Sequence, residues 1–156
     1  MQIVERYYRE TEYLLYNYKM FEISIKNMET EIEFLKKEDG SRGINYDSIP
    51  TSPTHKISSS TENMALSITE QIDYLEHSIR RMKSKIESID KSIVGLTETE
   101  REIIKKKYIY GKQWYVVAYE VSYSERQCRN IRNTAIGKIA IGIFGDIAVS
   151  LPHLGN

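Results

Sequence analysis

The sequence predicts an all-α protein, a long N-terminal coiled-coil helical hairpin followed by a C-terminal trihelical domain with a helix-turn-helix. Three observations predict it. Apolar residues recur at alternating steps of three and four over two stretches of about thirty residues each. A segment rich in Ser, Pro, Thr and Gly separates those stretches. Near the C-terminus, Val117 to Ile131 (VAYEVSYSERQCRNI) has the spacing of two crossing helices joined by a turn.

The first seam comprises Val4, Tyr7, Leu14, Tyr18, Phe21, Ile25, Met28, Ile32 and Leu35, with Thr11 its single polar member. No Gly or Pro interrupts it, and Asp39-Gly40 is expected to end it. The second seam comprises Ala65, Ile68, Ile72, Leu75, Ile79, Met82, Ile86, Ile89 and Ile93, starting near Ser60 or Thr61 and stopping at Gly95. Each helix then measures about 45–50 Å. Tyr8, Tyr13 and Tyr16 flank the first seam and suggest a broader buried face, favouring a hairpin whose outer side meets a second protomer. The segment between, DGSRGINYDSIPTSPTHKISSS, is too long for a tight helical turn. Ile49-Pro50 and Ser52-Pro53 favour extended backbone there, and Ile44, Tyr46, Ile49 and Ile57 are candidates to pack back onto the helices.

Thr97 with Glu100 forms a capping box opening a helix over TETEREIIKKKYIY. Its glutamates lie first and Lys105, Lys106 and Lys107 last, complementing the helix dipole. Ile103, Ile104, Tyr108 and Ile109 are its expected buried stripe, and Gly111 stops it. A second helix runs from about Gln113 to Val121, by the reading of start and stop signals. Ser122 occupies the turn, and Ser124 with Gln127 forms another capping box at the start of a third helix. Val117, Ala118, Val121, Tyr123, Cys128 and Ile131 are expected where the last two helices touch, with Ala118 at the closest approach. The third helix continues through Ala135, Ile136 and Ile139 to about Ile141. Gly142, Gly145 and Pro152 are expected to break regular structure in the apolar tail beyond. The predicted organisation is therefore a helical oligomerisation region over 1–95 with a linker at 39–60, a helix-turn-helix domain over 96–141, and a tail over 142–156.

The chain has 156 residues, 40% of them hydrophobic and 28% charged, which is the composition of a folded protein. No apolar run could cross a bilayer, no leader pattern opens the chain, and one cysteine cannot form an internal disulfide. These features favour the cytoplasm. The net charge of zero conceals a gradient: residues 1–39 hold nine acids and six bases, whereas residues 97–146 hold six acids and nine bases. The positive end carries the helix-turn-helix. His55, His77, His153 and Cys128 lack metal-ligand spacing, and there is no P-loop, G-x-G-x-x-G or G-x-S-x-G. Neither a cofactor, a metal nor catalysis is expected, and Cys128 reads as a core residue.

The outward residues of the third helix suggest chemistry. Glu125, Arg126, Arg129, Asn130 and Asn133 face away from the expected core, and Arg pairs with guanine and Asn with adenine in the major groove. The candidate DNA-binding set is Lys112, Ser124, Glu125, Arg126, Gln127, Arg129, Asn130 and Asn133, with Lys112 on a flanking phosphate. The lysine run 105–107 either touches phosphates or only complements its helix end.

Leu96, Glu98 to Glu102, Lys107-Tyr108, Gly111-Lys112 and Val117 to Ile131 together resemble region 4 of bacterial sigma factors. The whole chain resembles the RinA/ArpU family of phage-encoded, sigma-like transcriptional regulators, although only the final third carries a recognisable motif. Cys128 stands where that motif more often has a branched aliphatic, and Ser122 where it more often has Gly. The resemblance implies activation of late phage genes, and it carries recognition roles onto Arg126, Gln127, Arg129, Asn130 and Asn133. The expected function is sequence-specific binding of double-stranded DNA by a homo-oligomer, a dimer being favoured, with RNA polymerase a candidate contact and no membrane partner. Two alternatives are a small terminase subunit for DNA packaging and a coiled-coil adaptor that does not bind DNA.

Overall fold

The computed structural model describes residues 2–42 and 58–150, with side chains described over 2–40 and 67–150. The predicted loop residues Ile44, Tyr46, Ile49, Ser52, Pro53, His55 and Ile57, and Pro152 and His153 of the tail, lie outside the described residues, as does the side chain of Ala65. The fold is all-α, as the heptads and caps predict. In chain order it comprises β1 (Gln2–Ile3), α1 (Glu5–Arg42), α2 (Ser58–Val94), α3 (Glu98–Ile104), α4 (Trp114–Val121), α5 (Glu125–Phe144) and β2 (Val149–Ser150). A π-helical turn, Lys105–Ile109, extends α3, and a 3₁₀ turn, Gly145–Ala148, follows α5. Asp39-Gly40 does not end α1, which runs on to Arg42.

The chain divides into two compact units, one of residues 1–22 with 84–156 and one of residues 23–83. This division cuts across both long helices instead of falling at residue 95. In the unit 23–83, Ile25, Ile32 and Leu35 of α1 and Ile68 and Ile79 of α2 are buried. Lys83 Nζ meets Glu29 Oε1 at 2.8 Å, so the two helices pair within one chain. Both ends of that pair are largely exposed, so the apolar seam rather than the ion pair supplies most of the stability.

In the other unit, Leu14 and Leu15 of α1, Ile89 and Ile93 of α2, Ile104 and Tyr108 of the α3 segment, and Ala135, Ile136 and Ile139 of α5 form one core. Thr11, the polar member of the first seam, is fully buried there and donates to the Tyr7 carbonyl at 2.8 Å. That back-bond removes the cost of an unpaired hydroxyl. The broader buried face expected of the tyrosines is realised only in part: Tyr8 is half-buried, while Tyr13 and Tyr16 are exposed. Arg101 closes the α2–α3 corner by donating to the carbonyls of Ile93, Val94 and Leu96, which lie at or just past the C-terminus of α2.

A second core holds the helix-turn-helix together. Ile103, Val117, Ala118 and Cys128 are buried in it, with Trp114, Val121 and Ile131 packed at its edge. Tyr123, expected in this contact, is 42% exposed. It follows a residue in the left-handed region, and the chain reversal there swings its ring outward. That residue is Ser122, at φ 58° and ψ 37°, where α4 ends. Gly is favoured at such a position because a Cβ is strained there.

The tail also departs from expectation. Gly142 does not break α5 but lies within it. A Cβ at Gly142 would run into the Ser92 side chain, so its smallness lets α5 approach α2. After Gly145 (φ 73°), β2 pairs antiparallel with β1, Ile3 opposite Val149, and the Val4 amide donates to the Ala148 carbonyl at 2.9 Å.

Replacing Ser122 by Gly removes the left-handed Cβ penalty, and thermal unfolding should show stabilisation of about 0.5–1 kcal/mol. Ser122→Val should destabilise by about 1–3 kcal/mol.

Candidate nucleic-acid interface

The first turns of α5 are set by their cap. Ser124 accepts from the Gln127 amide at 3.2 Å, and the Gln127 side-chain oxygen accepts from the Ser124 amide at 3.2 Å. Both capping boxes predicted from sequence are present, since Thr97 and Glu100 make the reciprocal pair at the start of α3. The Gln127 carbonyl is thereby engaged in its own helix.

Helical periodicity then sorts the rest. Cys128 is fully buried against α4, and burial pushes its thiol up from the ordinary range, so it stays protonated. Ser124, Glu125, Arg126, Gln127, Arg129, Asn130 and Asn133 are all exposed. Glu125, Arg126, Arg129 and Asn130 line one shallow concavity. Arg129 also pairs with Glu125 at 3.3 Å, whereas Arg126 has no ion-pair partner among the described residues.

Two of the predicted residues are engaged elsewhere. Tyr8 of α1 donates to the Asn133 side-chain oxygen at 2.9 Å. Lys112 Nζ lies 2.6 and 2.9 Å from the Glu120 carboxylate oxygens, so its charge is matched within the domain.

Sequence reasoning missed the groups that hold this surface. The indole of Trp114 has three cations around it, with Lys107 Nζ 5.3 Å, Arg132 Cζ 5.5 Å and Arg129 Cζ 5.6 Å from its centroid. Each contact contributes about 0.5–1 kcal/mol where exposed. The π turn brings Lys107 there. The Tyr110 amide reaches back five residues to the Lys105 carbonyl at 2.9 Å, and the Lys112 amide bonds the Lys106 carbonyl at 3.0 Å. Gly111, at φ 66°, permits the reversal, and Lys107 Nζ donates to the Lys112 carbonyl at 3.3 Å.

Arg132 carries a second junction. It donates to Glu12 Oε1 at 2.7 Å and to the Tyr108 hydroxyl at 3.0 Å, while Tyr108 donates to the same carboxylate oxygen at 2.7 Å. Burial raises the Tyr108 phenol well above its ordinary range, and its bond to Glu12 adds to this. Three elements far apart in sequence thus meet at one carboxylate. Only the aromatic content and the charged flanks of the first seam hinted at it.

A third tie is Lys138 Nζ to Glu100, at 2.7 and 3.0 Å. Burial pushes the Glu100 carboxyl up, but the bonds from Lys138 and Thr97 together outweigh it and leave the group below the usual glutamate range.

A family model matches residues 7–140. The chain belongs to DUF722, a family of proteins of unknown function. The DUF722 match begins in α1 and ends in α5, so it takes in both long helices together with the helix-turn-helix. Neither a curated protein nor a solved structure matches the chain.

Because Glu100 is easier to ionise folded than unfolded, its contribution is present above the ordinary glutamate value of about 4.3 and is lost as pH falls through the folded value. Lys138→Met should therefore destabilise by about 1–2 kcal/mol at pH 7. Thermal unfolding as a function of pH should show that difference shrinking below about pH 4.

Proposed function

We propose that this DUF722 chain is a sequence-specific double-stranded DNA-binding transcription regulator that places the start of α5 in the major groove. The reading is carried by one observation: the first three turns of α5 bury Cys128 and expose Arg126, Arg129 and Asn130 along one shallow concavity. A helix anchored on one side with guanidinium and amide groups on the other matches how a recognition helix meets base edges. Arg126 and Arg129 contact guanines or phosphates, and Asn130 contacts a base. Ser124 and Gln127 shape the helix start, and Asn133 is braced from α1.

The chain acts as a cytoplasmic homo-oligomer, and the exposed Ile23, Phe34 (56%) and Tyr74 (68%) of the unit 23–83 support pairing through that region. Activation of late phage genes, with RNA polymerase as a contact, rests on the resemblance to the RinA/ArpU regulators. A dimer in solution agrees with gene regulation, whereas a closed ring of many subunits favours DNA packaging.

Selection of genomic fragments at physiological salt should recover a defined duplex site. On that site Arg126→Ala should weaken binding by about 1–3 kcal/mol without changing thermal unfolding. The chain's single tryptophan, Trp114, sits against Arg129 and supplies the fluorescence signal for the titration. Equal affinity of wild type and variant for the selected site would falsify the assignment of Arg126.

A further inference from the structure

We propose that Glu120 occupies Lys106 and Lys112 and thereby lowers the domain's sequence-blind grip on DNA and its dependence on salt; this rests on the DNA-binding reading above. From sequence, the lysines at the end of α3 either grip phosphates or only complement their helix end. The structure ties up most of that charge internally. Lys106 Nζ lies 2.8 Å from Glu120 and 3.6 Å from Glu102. Lys112 Nζ lies 2.6 Å from the other Glu120 oxygen. Lys107 donates to a carbonyl and faces the Trp114 ring.

One carboxylate from α4 therefore serves two ammonium groups, one from the π turn and one from the turn that follows it. The Lys106, Glu120 and Lys112 side chains are 18%, 30% and 34% exposed, so each keeps some contact with solvent while held in the pair.

The consequence follows from how the two kinds of contact scale. Phosphate neutralisation raises affinity for every sequence alike, whereas base-edge contacts raise it only for the right one. Holding two lysines on a carboxylate removes the first contribution and leaves the second, carried by Arg126, Arg129 and Asn130. Affinity for every duplex is lowered by the same factor, and discrimination between sequences is left to those base-edge groups. Lys106 keeps Glu102 nearby when Glu120 is neutralised, so Lys112 is the group released most fully.

The test measures binding of the full chain to a selected and a scrambled duplex across a salt series. Glu120→Gln should steepen the dependence of log K on log salt by about 0.9 if Lys112 alone reaches a phosphate, and by about 1.8 if Lys106 does too. Affinity for the scrambled and the selected duplex should rise by a similar factor. Lys112→Gln alone should leave the slope unchanged, and added to Glu120→Gln it should take away about 0.9 of the gain.

A folded Glu120→Gln protein with the wild-type slope overturns the proposal. So does a Lys112→Gln protein whose slope is shallower by about 0.9, because Lys112 would then already be on a phosphate. That second arm decides the matter if Glu120→Gln does not fold. Wild-type protein with no salt-dependent affinity for any duplex overturns the DNA-binding reading and this proposal with it. Wild-type binding with failed variant arms overturns this proposal alone.

Discussion

The structure depends on one helix being buried in two places. α5 contributes Cys128 to the small core with α4, and Ala135, Ile136 and Ile139 to the larger core with α1, α2 and α3. Two separate anchor points fix both its position and its rotation about its own axis. Once that rotation is set, the remaining side chains have no choice of direction, and Arg126, Arg129 and Asn130 must face solvent. The exposed ridge is a consequence of the buried one. Gly142 extends the same constraint, since a side chain there would keep α5 away from Ser92.

Polar ties refine what the cores establish. Glu12, Tyr108 and Arg132 join α1, the π turn and α5, and Tyr8 to Asn133 adds a second link from α1 to the outer side of α5. Such bonds contribute little net stability singly, and the part-buried ones at Glu12 cost more when one partner is lost. Their effect is to make the start of α1 and the middle of α5 one mechanical piece. Trp114 does the same for cations, gathering Lys107, Arg129 and Arg132 that would otherwise repel one another. The indole face offsets part of that repulsion through its quadrupole.

Charge along the chain is therefore a poor guide to charge at the surface. The segment 97–146 holds nine bases against six acids, yet Lys106, Lys112, Arg132 and Lys138 all meet carboxylates. Arg129, exposed in the first turns of α5, also meets Glu125, whereas Arg126 beside it has no ion-pair partner among the described residues. A domain with modest net charge can in this way present cations locally.

The sequence showed whatever depends on near neighbours. The heptad seams of α1 and α2, both capping boxes and the turn at Ser122 follow from three- and four-residue spacing and from side chains that bond their own backbone. The outward set of α5 was equally visible, because a helix of known phase divides its residues into two faces. Tertiary structure alone decided the left-handed geometry at Ser122, the π turn at Lys105–Ile109, the helical Gly142 and the meeting of Glu12 with Arg132. The Arg132 bonds to Tyr108 and Glu12 span 24 and 120 positions, and no local pattern encodes a partner at that distance.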